Sequence, residues 1–357
     1  MKFVLTSTGL SILTNYLKNF KIFPNEVYKY ANQKDIEEEF LEKIGPHIKK
    51  LKHEIVDYSS DDLKKISAEL NALLTFYKNK FDKEDIHYIL HTDTYLGKAT
   101  AEIIKAFLES KDLNASLFNA RDLNTSNVED FQFALSEVVK DLSPILSNYQ
   151  ESGYEIIFNL TGGFKGVNSF LQTMASLYAD RSIYIFESGD ELLEIPRMPI
   201  KIDEEFFRDN FDILRKIEKN INVNVSLPSS IVIKIAQEYT LSPWGEIVWQ
   251  KYKIDYFKNN LLKPITNKIK YSKELEKDFE KLSSNEKYQF NKSIEKLEDF
   301  ILHGDNLKSL RYHTLSGNIS QKYNAEFYPF DGNDSRRAYC NEDNGVITVE
   351  KIDSHLK

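Results

Sequence analysis

Hydrophobic and polar positions along the first half of the chain follow two alternating patterns. Short apolar runs, typical of buried parallel strands, alternate with stretches whose apolar residues recur every three or four positions, as in amphipathic helices. The strand-like runs are Phe3–Leu5, Ile86–His91, Ala115–Phe118, Ile156–Leu160 and Ser182–Phe186. The helical stretches are Asp35–Leu51, Leu63–Lys78, Ala99–Leu108, Phe131–Leu146 and Val167–Tyr178. Strands separated by helices predict an α/β domain with a doubly wound parallel sheet.

The following stretch is predicted to close this sheet and end the domain. Ser182–Phe186, a turn at Gly189-Asp190 and Leu192–Ile195 have the pattern of a hairpin. Pro196 and Pro199 come next, and prolines at this point favour a boundary. We therefore expect residues 1–200 to form the first domain.

Residues 201–262 are predicted to connect two domains. They contain two helix-like runs, Phe206–Lys219 and Ile231–Gln237, and then Tyr239–Trp249, which suits either a hairpin or a helix. Neither run carries the row of Arg and Lys that is typical of a DNA-binding helix. A structural linker is therefore favoured over a DNA-binding element.

Residues 263–357 change from a helical to a strand pattern. Leu275–Leu302 has helical periodicity that breaks near Ser283, so we expect two helices, the second starting at Ser284 or Asn285. The strand-like runs after it are Leu310–Leu315, Lys322–Phe327, Arg336–Asn341 and Gly345–Ile352, with turns at Gly317, Gly332–Asp334 and Asp343–Gly345. Two helices followed by antiparallel strands predict a small α+β domain.

Composition places the chain among globular proteins. Its 357 residues are enough for two or three domains, and 41% of them are hydrophobic. No apolar run is long enough to span a bilayer and no signal peptide is evident, so we expect a cytoplasmic protein without membrane contact. Cys340 is the single cysteine, which excludes internal disulfides and cysteine-based zinc sites.

Charge is distributed unevenly along the chain. The net charge is −8, yet residues 258–357 carry 17 Lys and Arg against 16 Asp and Glu. The rest of the chain holds 30 basic against 39 acidic residues. This balance argues against tight binding of free, long nucleic acid by the last domain, so any RNA substrate would have to be presented by another partner.

Two strand-to-helix loops are candidates for anion binding. Thr161, Gly162 and Gly163 separate a buried strand from the helix near Val167, and Lys165 adds a positive charge. Such a turn leaves backbone N–H groups at the positive end of the helix dipole, where a phosphate binds well. The alternative is a tight turn with a surface lysine. The first strand runs in the same way into Thr6–Ser11, with Asn15 in the helix that follows.

A third loop, Thr92–Thr94, repeats this arrangement after the strand that ends near His91. Ligands of doubly wound sheets bind beyond the carboxyl ends of the central strands, where the strand order reverses. We therefore expect the first two loops to face one crevice.

The segments Thr6–Asn15 and Asn159–Gly166 resemble the CARF domain, the sensor module of type III CRISPR accessory proteins. The resemblance covers roughly residues 1–200 and implies a Rossmann-like fold and a homodimer that binds cyclic oligoadenylate, for which we favour the tetra-adenylate ring. It implies an allosteric ligand and no cofactor. The ligand-binding residues that it implies are Thr6, Ser7, Thr8, Gly9, Ser11, Asn15, Thr92, Asp93, Thr94, Asn159, Thr161, Gly162, Gly163, Phe164 and Lys165. Residues 201–262 resemble the winged-helix connector found behind such domains.

Polar residues able to act on phosphodiesters are concentrated in the last domain. They are Arg311, His313, Lys322, Glu326, Arg336, Arg337 and His355. If the strands run as predicted, Arg311 and His313 share one face, as do Lys322 and Glu326. For any single residue, the alternative is a solvated sheet face.

The order of elements here, with Leu310–Gly317, Lys322–Phe327, Arg336–Tyr339 and Ile352–His355, resembles the RelE/ParE superfamily of toxins. RelE-type members cleave mRNA on the ribosome without a metal, and the resemblance implies charge stabilisation by Arg336, with Lys322 and His355 in supporting roles. His355 or His313 would serve as acid or base, Arg337 as a further charge stabiliser, and Glu326 as a base or an ion-pair partner. ParE-type relatives share the fold but target gyrase, so the fold alone does not decide the activity.

These resemblances together predict a ring-activated ribonuclease that cleaves mRNA on the ribosome in CRISPR defence. No Arg is followed four to six residues later by His, which excludes the HEPN ribonuclease signature. Two alternatives remain open: a non-catalytic regulator that binds DNA through the middle segment, and a ring nuclease that uses Thr8, Ser11 or Lys165.

Overall fold

The computed structural model describes residues 1–123, 127–186, 191–235, 237–304, 308–316, 322–332 and 334–354. These residues divide into two compact units. The first unit consists of Met1–Ile202, Pro228–Val232 and Leu241–Gln250, and the second of Asp203–Leu227, Ile233–Thr240 and Lys251–Lys357. The segment predicted as a connector therefore contributes residues to both units.

The helices of the described residues are α1 Ser11–Leu17, α2 Pro24–Tyr28, α3 Glu38–Glu54, α4 Ser60–Ile66, α5 Ala68–Tyr77, α6 Tyr95–Ser110, α7 Val128–Glu151, α8 Lys165–Tyr178, α9 Glu204–Asp209, α10 Phe211–Glu218, α11 Pro243–Asn259, α12 Lys273–Glu280 and α13 Ser284–His303. Among them, no helix is both long enough and apolar enough to cross a membrane.

The strands of the same residues are β1 Lys2–Ser7, β2 Ile86–Thr92, β3 Asn114–Ala120, β4 Glu155–Asn159, β5 Arg181–Ile185, β6 Leu192–Pro196, β7 Val232–Ile235, β8 Glu238–Leu241, β9 Ile269–Tyr271, β10 His313–Thr314, β11 Ala325–Phe327, β12 Arg336–Asp343 and β13 Val346–Ser354.

The first unit is built on a six-stranded sheet in the order β3-β2-β1-β4-β5-β6. Strands β1 to β5 run parallel, and β6 pairs antiparallel with β5 at the edge. Leu5 of β1 lies between Tyr88 of β2 and Phe158 of β4. β2 and β3 are added on one side of β1, and β4 and β5 on the other side. The strand order therefore reverses between β1 and β4. The parallel α/β sheet expected from the sequence is confirmed, and it is compatible with a Rossmann-like domain.

Apolar side chains cover both faces of this sheet. Alternate residues of a strand point to opposite faces, so Val4 joins one core with helices including α1, α3 and α6. Phe3 and Leu5 join the other core with α7 and α8. This two-sided burial explains why the central strands have continuous apolar runs in the sequence.

The second unit contains a five-stranded sheet in the order β10-β11-β12-β13-β9. The pairs from β10 to β13 are antiparallel, whereas β9 pairs parallel with β13. Phe290 of α13 packs between Phe279 of α12 and Phe327 of β11, with ring centroids 5.7 and 6.4 Å away. The helices and the antiparallel strands therefore share one core, as the sequence predicted.

Buried ion pairs fasten α10 and α11 to α13 within the second unit. Lys219, just after α10, contacts Asp299 at 2.6 Å, and the buried Arg215 contacts Glu298. Lys253 of α11 lies 3.5 Å from Glu295. A buried charge that loses its partner is costly. These ion pairs therefore hold α10 and α11 in fixed positions against α13.

The structure corrects several predicted elements. Val232–Ile235 is a strand, not part of a helix over Ile231–Gln237, because a run of β-branched residues favours extended backbone. The strand predicted over Leu310–Leu315 is reduced to His313–Thr314, since Arg311 has a left-handed φ of 50°. The strand predicted over Lys322–Phe327 begins only at Ala325.

One predicted helix is broken in the structure, and the predicted start of another is confirmed. The helix expected over Leu63–Lys78 is broken at Ser67, whose side chain caps α5 by accepting a hydrogen bond from the Leu70 N–H. The start of α13 predicted at Ser284 or Asn285 is confirmed at Ser284, with Ser283 as the capping residue. The predicted turns at Gly189-Asp190 and Gly317 lie outside the described residues.

Candidate functional site

The loops that follow β1 and β4 meet at the point where the strand order reverses. A Cβ atom on Gly9 would lie 2.7 Å from the backbone nitrogen of Gly163. Gly163 has a φ of 97°, and a Cβ there would lie 2.3 Å from Ser7 Oγ. Both glycines are therefore required for this close approach. The expectation that the two loops face one crevice agrees with this geometry.

The carboxylate of Glu69 joins the two loops. It is fully buried at the start of α5 and accepts hydrogen bonds from the Gly9 N–H at 2.7 Å and from Ser11 Oγ at 2.9 Å. Ser67 Oγ donates a third at 2.8 Å. A Cβ on Gly162 would lie 2.0 Å from Glu69 Oε1, so Gly162 packs directly on the carboxylate. The chain's own carboxylate thus fills the anion position at the start of α1.

Two buried or half-buried amides hold the loop after β4 in shape. Asn159 Nδ2 donates to the Glu69 carbonyl at 3.1 Å, and Asn159 Oδ1 accepts from the Thr161 N–H at 3.3 Å. Asn168 Nδ2 donates to the carbonyls of Leu160 at 2.9 Å and Gly162 at 2.6 Å. Asn159 was predicted from the sequence, whereas Asn168 and Glu69 were missed.

The amino end of α8 is left open to an anion. Its N-cap residue is Phe164, no side chain of the described residues caps it, and its first turn has no acidic residue. By contrast, Thr94 caps α6 by accepting a hydrogen bond from the Gly97 N–H at 3.2 Å. The helix dipole and the N–H groups of the first turn therefore face outward at α8.

A cleft of about 970 Å³ opens beside these loops. Its lining includes Gly9, Leu10, Ser11, Thr14, Asn15, Lys18, Pro24, Tyr28, Asp61, Lys64, Lys65, Ala68, Glu69, Asn71, Thr161, Gly162, Gly163, Phe164, Ile185 and Phe186. The described lining holds three lysines and two acidic residues, Asp61 and Glu69. Its formal charge is therefore +1, that is, three positive against two negative side chains.

Outside the third loop, the predicted ligand-binding residues fall into three groups. Gly9, Ser11, Asn15, Thr161, Gly162, Gly163 and Phe164 line the cleft. Thr6, Ser7, Thr8 and Asn159 are buried, and Thr8 Oγ1 donates to the Leu90 carbonyl at 2.9 Å. Lys165 is exposed, and the part of the lining that the structure describes does not include it. The binding roles of all three groups stay predictions.

The third predicted loop is occupied by contacts within the protein. Thr92 Oγ1 lies 3.0 Å from Thr94 Oγ1, and Asp93 contacts Lys34 at 2.7 Å. Although burial opposes it, hydrogen bonds from Lys34 and from the Asp122 N–H hold the pKa of Asp93 below its ordinary value. Of the three loops, this one is therefore the least available to a ligand.

The second unit brings together four of the predicted phosphodiester-acting residues. His313 of β10 lies opposite Glu326 of β11, with His313 Nε2 3.2 Å from Glu326 Oε1. His313 Nδ1 lies 2.8 Å from the Arg311 carbonyl. The imidazole is therefore held between a backbone carbonyl and a carboxylate.

Arginine side chains flank this pair. The Arg337 guanidinium lies 3.6 Å from the Tyr328 ring centroid, with Nε 3.9 Å from Glu326 Oε1. Arg311 lies 5.0 Å from the same ring. We call His313, Glu326, Arg311, Arg337 and Tyr328 the His313 cluster. Tyr328 was missed from the sequence because it follows β11 in a segment without a motif.

Arg336 is engaged elsewhere. Neighbouring strand residues point to opposite faces, which separates its side chain from that of Arg337. Arg336 donates to Asp334 and Glu286, and the Arg336 hydrogen bond is the main reason that the pKa of Asp334 is lowered. Lys322 lies 5.2 Å from the Tyr323 ring centroid, outside the cluster. His355 lies outside the described residues.

The described part of the chain holds no group of three or more His, Cys, Asp or Glu residues that could bind a metal ion. The described lining of the cleft in the first unit includes glycines, lysines and aromatic side chains.

The fold of the first unit is compatible with a Rossmann-like domain, and its cleft lies where the strand order of the sheet reverses. Residues 64–198 match a family of CRISPR-associated proteins, Cas_APE2256, which is related to the CARF domains. The matched range runs from α4 past β6 and includes the loop after β4. No curated protein matches the chain. The family match indicates a CRISPR-associated role.

Proposed function

We propose that this chain is a sensor and effector of type III CRISPR defence. In this proposal the cleft of the first unit binds cyclic oligoadenylate, specifically the tetra-adenylate ring, in a homodimer. The second unit then cleaves mRNA on the ribosome. The observation that carries the proposal is the cleft at the point where the strand order reverses, beside the uncapped amino end of α8.

The size and charge of the cleft favour a large anionic ligand. A volume of about 970 Å³ is at the upper end for small-molecule sites, which suits several nucleotide units. Lys18, Lys64 and Lys65 supply full positive charges, and the loop that ends at Phe164, the N-cap of α8, brings backbone to the cleft beside the uncapped helix. Because Glu69 already fills the anion position at α1, the ligand phosphates are expected at α8 and at the lysines instead.

The His313 cluster carries the proposed RNA cleavage. In our proposal the 2′-oxygen attacks phosphorus, its proton passes to water, and His313 gives a proton to the departing 5′-oxygen. Glu326 orients the imidazole, while Arg337 and Arg311 stabilise the charge on the phosphorane. Arg336 is assigned a supporting role, since two carboxylates already neutralise it. Ribosome-bound mRNA is the proposed substrate because residues 258–357 offer little net charge to attract free RNA.

The test is mRNA cleavage in a reconstituted translation system, with the tri-, tetra- or hexa-adenylate ring or with none. We expect cleavage with the tetra-adenylate ring, and we expect His313→Ala to slow it by about 10²- to 10⁴-fold. His303→Ala is the matched control, since His303 is exposed at the end of α13 and outside the cluster.

Each component has its own contradicting result. Equal cleavage by wild type and His313→Ala would refute the assigned cluster. Cleavage without any ring would refute activation. Ring binding combined with ligand-dependent DNA binding and intact mRNA would favour the regulator, and decay of the ring on incubation with the pure protein would favour a ring nuclease.

A further inference from the structure

Two large aromatic side chains in the cleft are left uncovered by the fold. Tyr28, the last residue of α2, is 56% exposed, and Phe186, which follows β5, is 54% exposed. Both line the cleft. A single exposed aromatic ring is ordinary on a protein surface, but two rings in one polar cleft are a feature that folding alone does not require.

The rings complement the polar groups of the same cleft. Lysines and helix N–H groups recognise phosphate, whereas an exposed aromatic face recognises the flat face of a base. The two rings come from different elements, Tyr28 from the end of α2 and Phe186 from the residue after β5. A nucleotide has one group of each kind, and the cleft supplies a partner for both.

We propose that Tyr28 and Phe186 are stacking platforms for two bases of the bound ligand. This proposal rests on the proposed function and adds a statement about ligand recognition. The bases of the ligand, as well as its phosphates, contribute to its affinity for the cleft. Tyr28 and Phe186 act through their ring faces, so another aromatic residue can replace either of them. An aliphatic residue cannot, because it has no ring to stack.

The test is isothermal titration of the full chain with cyclic tetra-adenylate and with the linear adenylate tetramer. We expect Tyr28→Leu and Phe186→Leu each to weaken ring binding about 5- to 100-fold. Tyr28→Phe and Phe186→Tyr are expected to bind within about twofold of wild type, because stacking is retained. Melting temperatures of all variants confirm that the fold is intact.

Phe23→Leu is the matched control. Phe23 is 58% exposed and lies five residues before Tyr28, but the described lining of the cleft does not include it. Its substitution is expected to leave ring affinity unchanged. An equal loss with Phe23→Leu would overturn the stacking proposal, since the effect would then be a general loss of surface apolar area.

The remaining outcomes separate the two proposals. Wild-type binding of the ring together with unchanged affinity in both leucine variants would overturn stacking and leave the proposed sensor function standing. If wild type binds neither the ring nor the linear tetramer, both the stacking proposal and the proposed sensor function are overturned. Loss in the leucine variants with recovery in the aromatic variants supports stacking.

Discussion

At the scale of single residues, the clearest source of pH dependence is His87. It is fully buried in β2, and neither ring nitrogen has a hydrogen-bond partner among the residues that the structure describes. Burial, opposed by the nearby Asp85, lowers the pKa of His87 from 6.5 to about 4. The unfolded chain therefore takes up this proton first as the pH falls. The uncharged, buried His87 therefore makes its full contribution to the free energy of unfolding above about pH 6.5. This contribution decreases below that pH and is lost as the pH falls through about 4.

We predict that His87→Leu removes this pH dependence. Wild type should lose on the order of 3 kcal/mol of unfolding free energy between pH 6.5 and about 4 because of this one group. Urea unfolding at several pH values measures the slope. His91, whose pKa burial also lowers, leaves a smaller slope in the variant. His53→Leu, at an exposed position, is the control, and an identical slope for wild type and His87→Leu would contradict the prediction.

Glu69 shows what sequence reasoning misses at this scale. The glycines, Ser11 and Asn159 were predicted because local strand-turn-helix patterns point to them. Glu69 and Gly9 are 60 residues apart in the sequence, so no local sequence pattern predicts their hydrogen bond. The location of the site was therefore readable from the sequence, but the internal anion that fills part of it was not.

At the scale of elements, the start of α13 combines a capping box with an ion pair. The Ser283 Oγ accepts from the Glu286 N–H, and a Glu286 carboxylate oxygen accepts from the Ser283 N–H at 2.8 Å. Glu286 also contacts Arg336 of β12. Hydrogen bonds from Ser283, and then from Arg336, lower the pKa of Glu286. One side chain thus fixes the helix start and ties it to the sheet.

We predict that Ser283→Ala destabilises the second unit by about 1 kcal/mol, the usual cost of losing an N-cap. Ser284→Ala should have almost no effect, because Ser284 is the first residue within the helix, where alanine is well tolerated. Urea unfolding of both variants tests whether Ser283 is the capping residue. A larger loss with Ser284→Ala would show that the helix starts one residue later.

Elements with a strong local pattern were predictable and weak ones were not. The buried runs of β1 and β4 and the long helix α13 were found from apolar periodicity alone. By contrast, β9 has three residues and is defined by its pairing with β13, about eighty residues later. The strand β7 was mistaken for a helix because short apolar runs fit both periods. Tertiary pairing decided β9, whereas the β-branched residues of β7 favoured the strand over the helix.

At the scale of the whole molecule, the proposed sensor and effector sites lie in different units. The cleft residues belong to the first unit and the His313 cluster to the second. If ligand binding only controls the population of an active state, the two activities can be changed one at a time. A cleft variant should alter how much ring is needed, and a cluster variant should alter how fast RNA is cut.

We therefore predict that Lys64→Ala, in the cleft lining, weakens ring binding about tenfold through loss of a charged contact. The ring concentration that gives half-maximal mRNA cleavage should rise by the same factor, while the maximal rate at saturating ring stays unchanged. Lys49→Ala, at an exposed position of α3 outside the described lining, is the matched control. His313→Ala should show the converse behaviour, with wild-type ring affinity and little cleavage.

The two measurements are titration of ring binding and cleavage rates across ring concentrations in the translation system. A fall in the maximal rate with Lys64→Ala would contradict simple control by ligand, because saturating ring should restore the same active population. Loss of ring affinity in His313→Ala would contradict the division of labour, since that residue belongs to the effector unit. A sensor coupled to a separate cleavage site requires two different changes in the plot of cleavage rate against ring concentration. Lys64→Ala should shift the curve to higher ring concentration, and His313→Ala should lower its maximal rate.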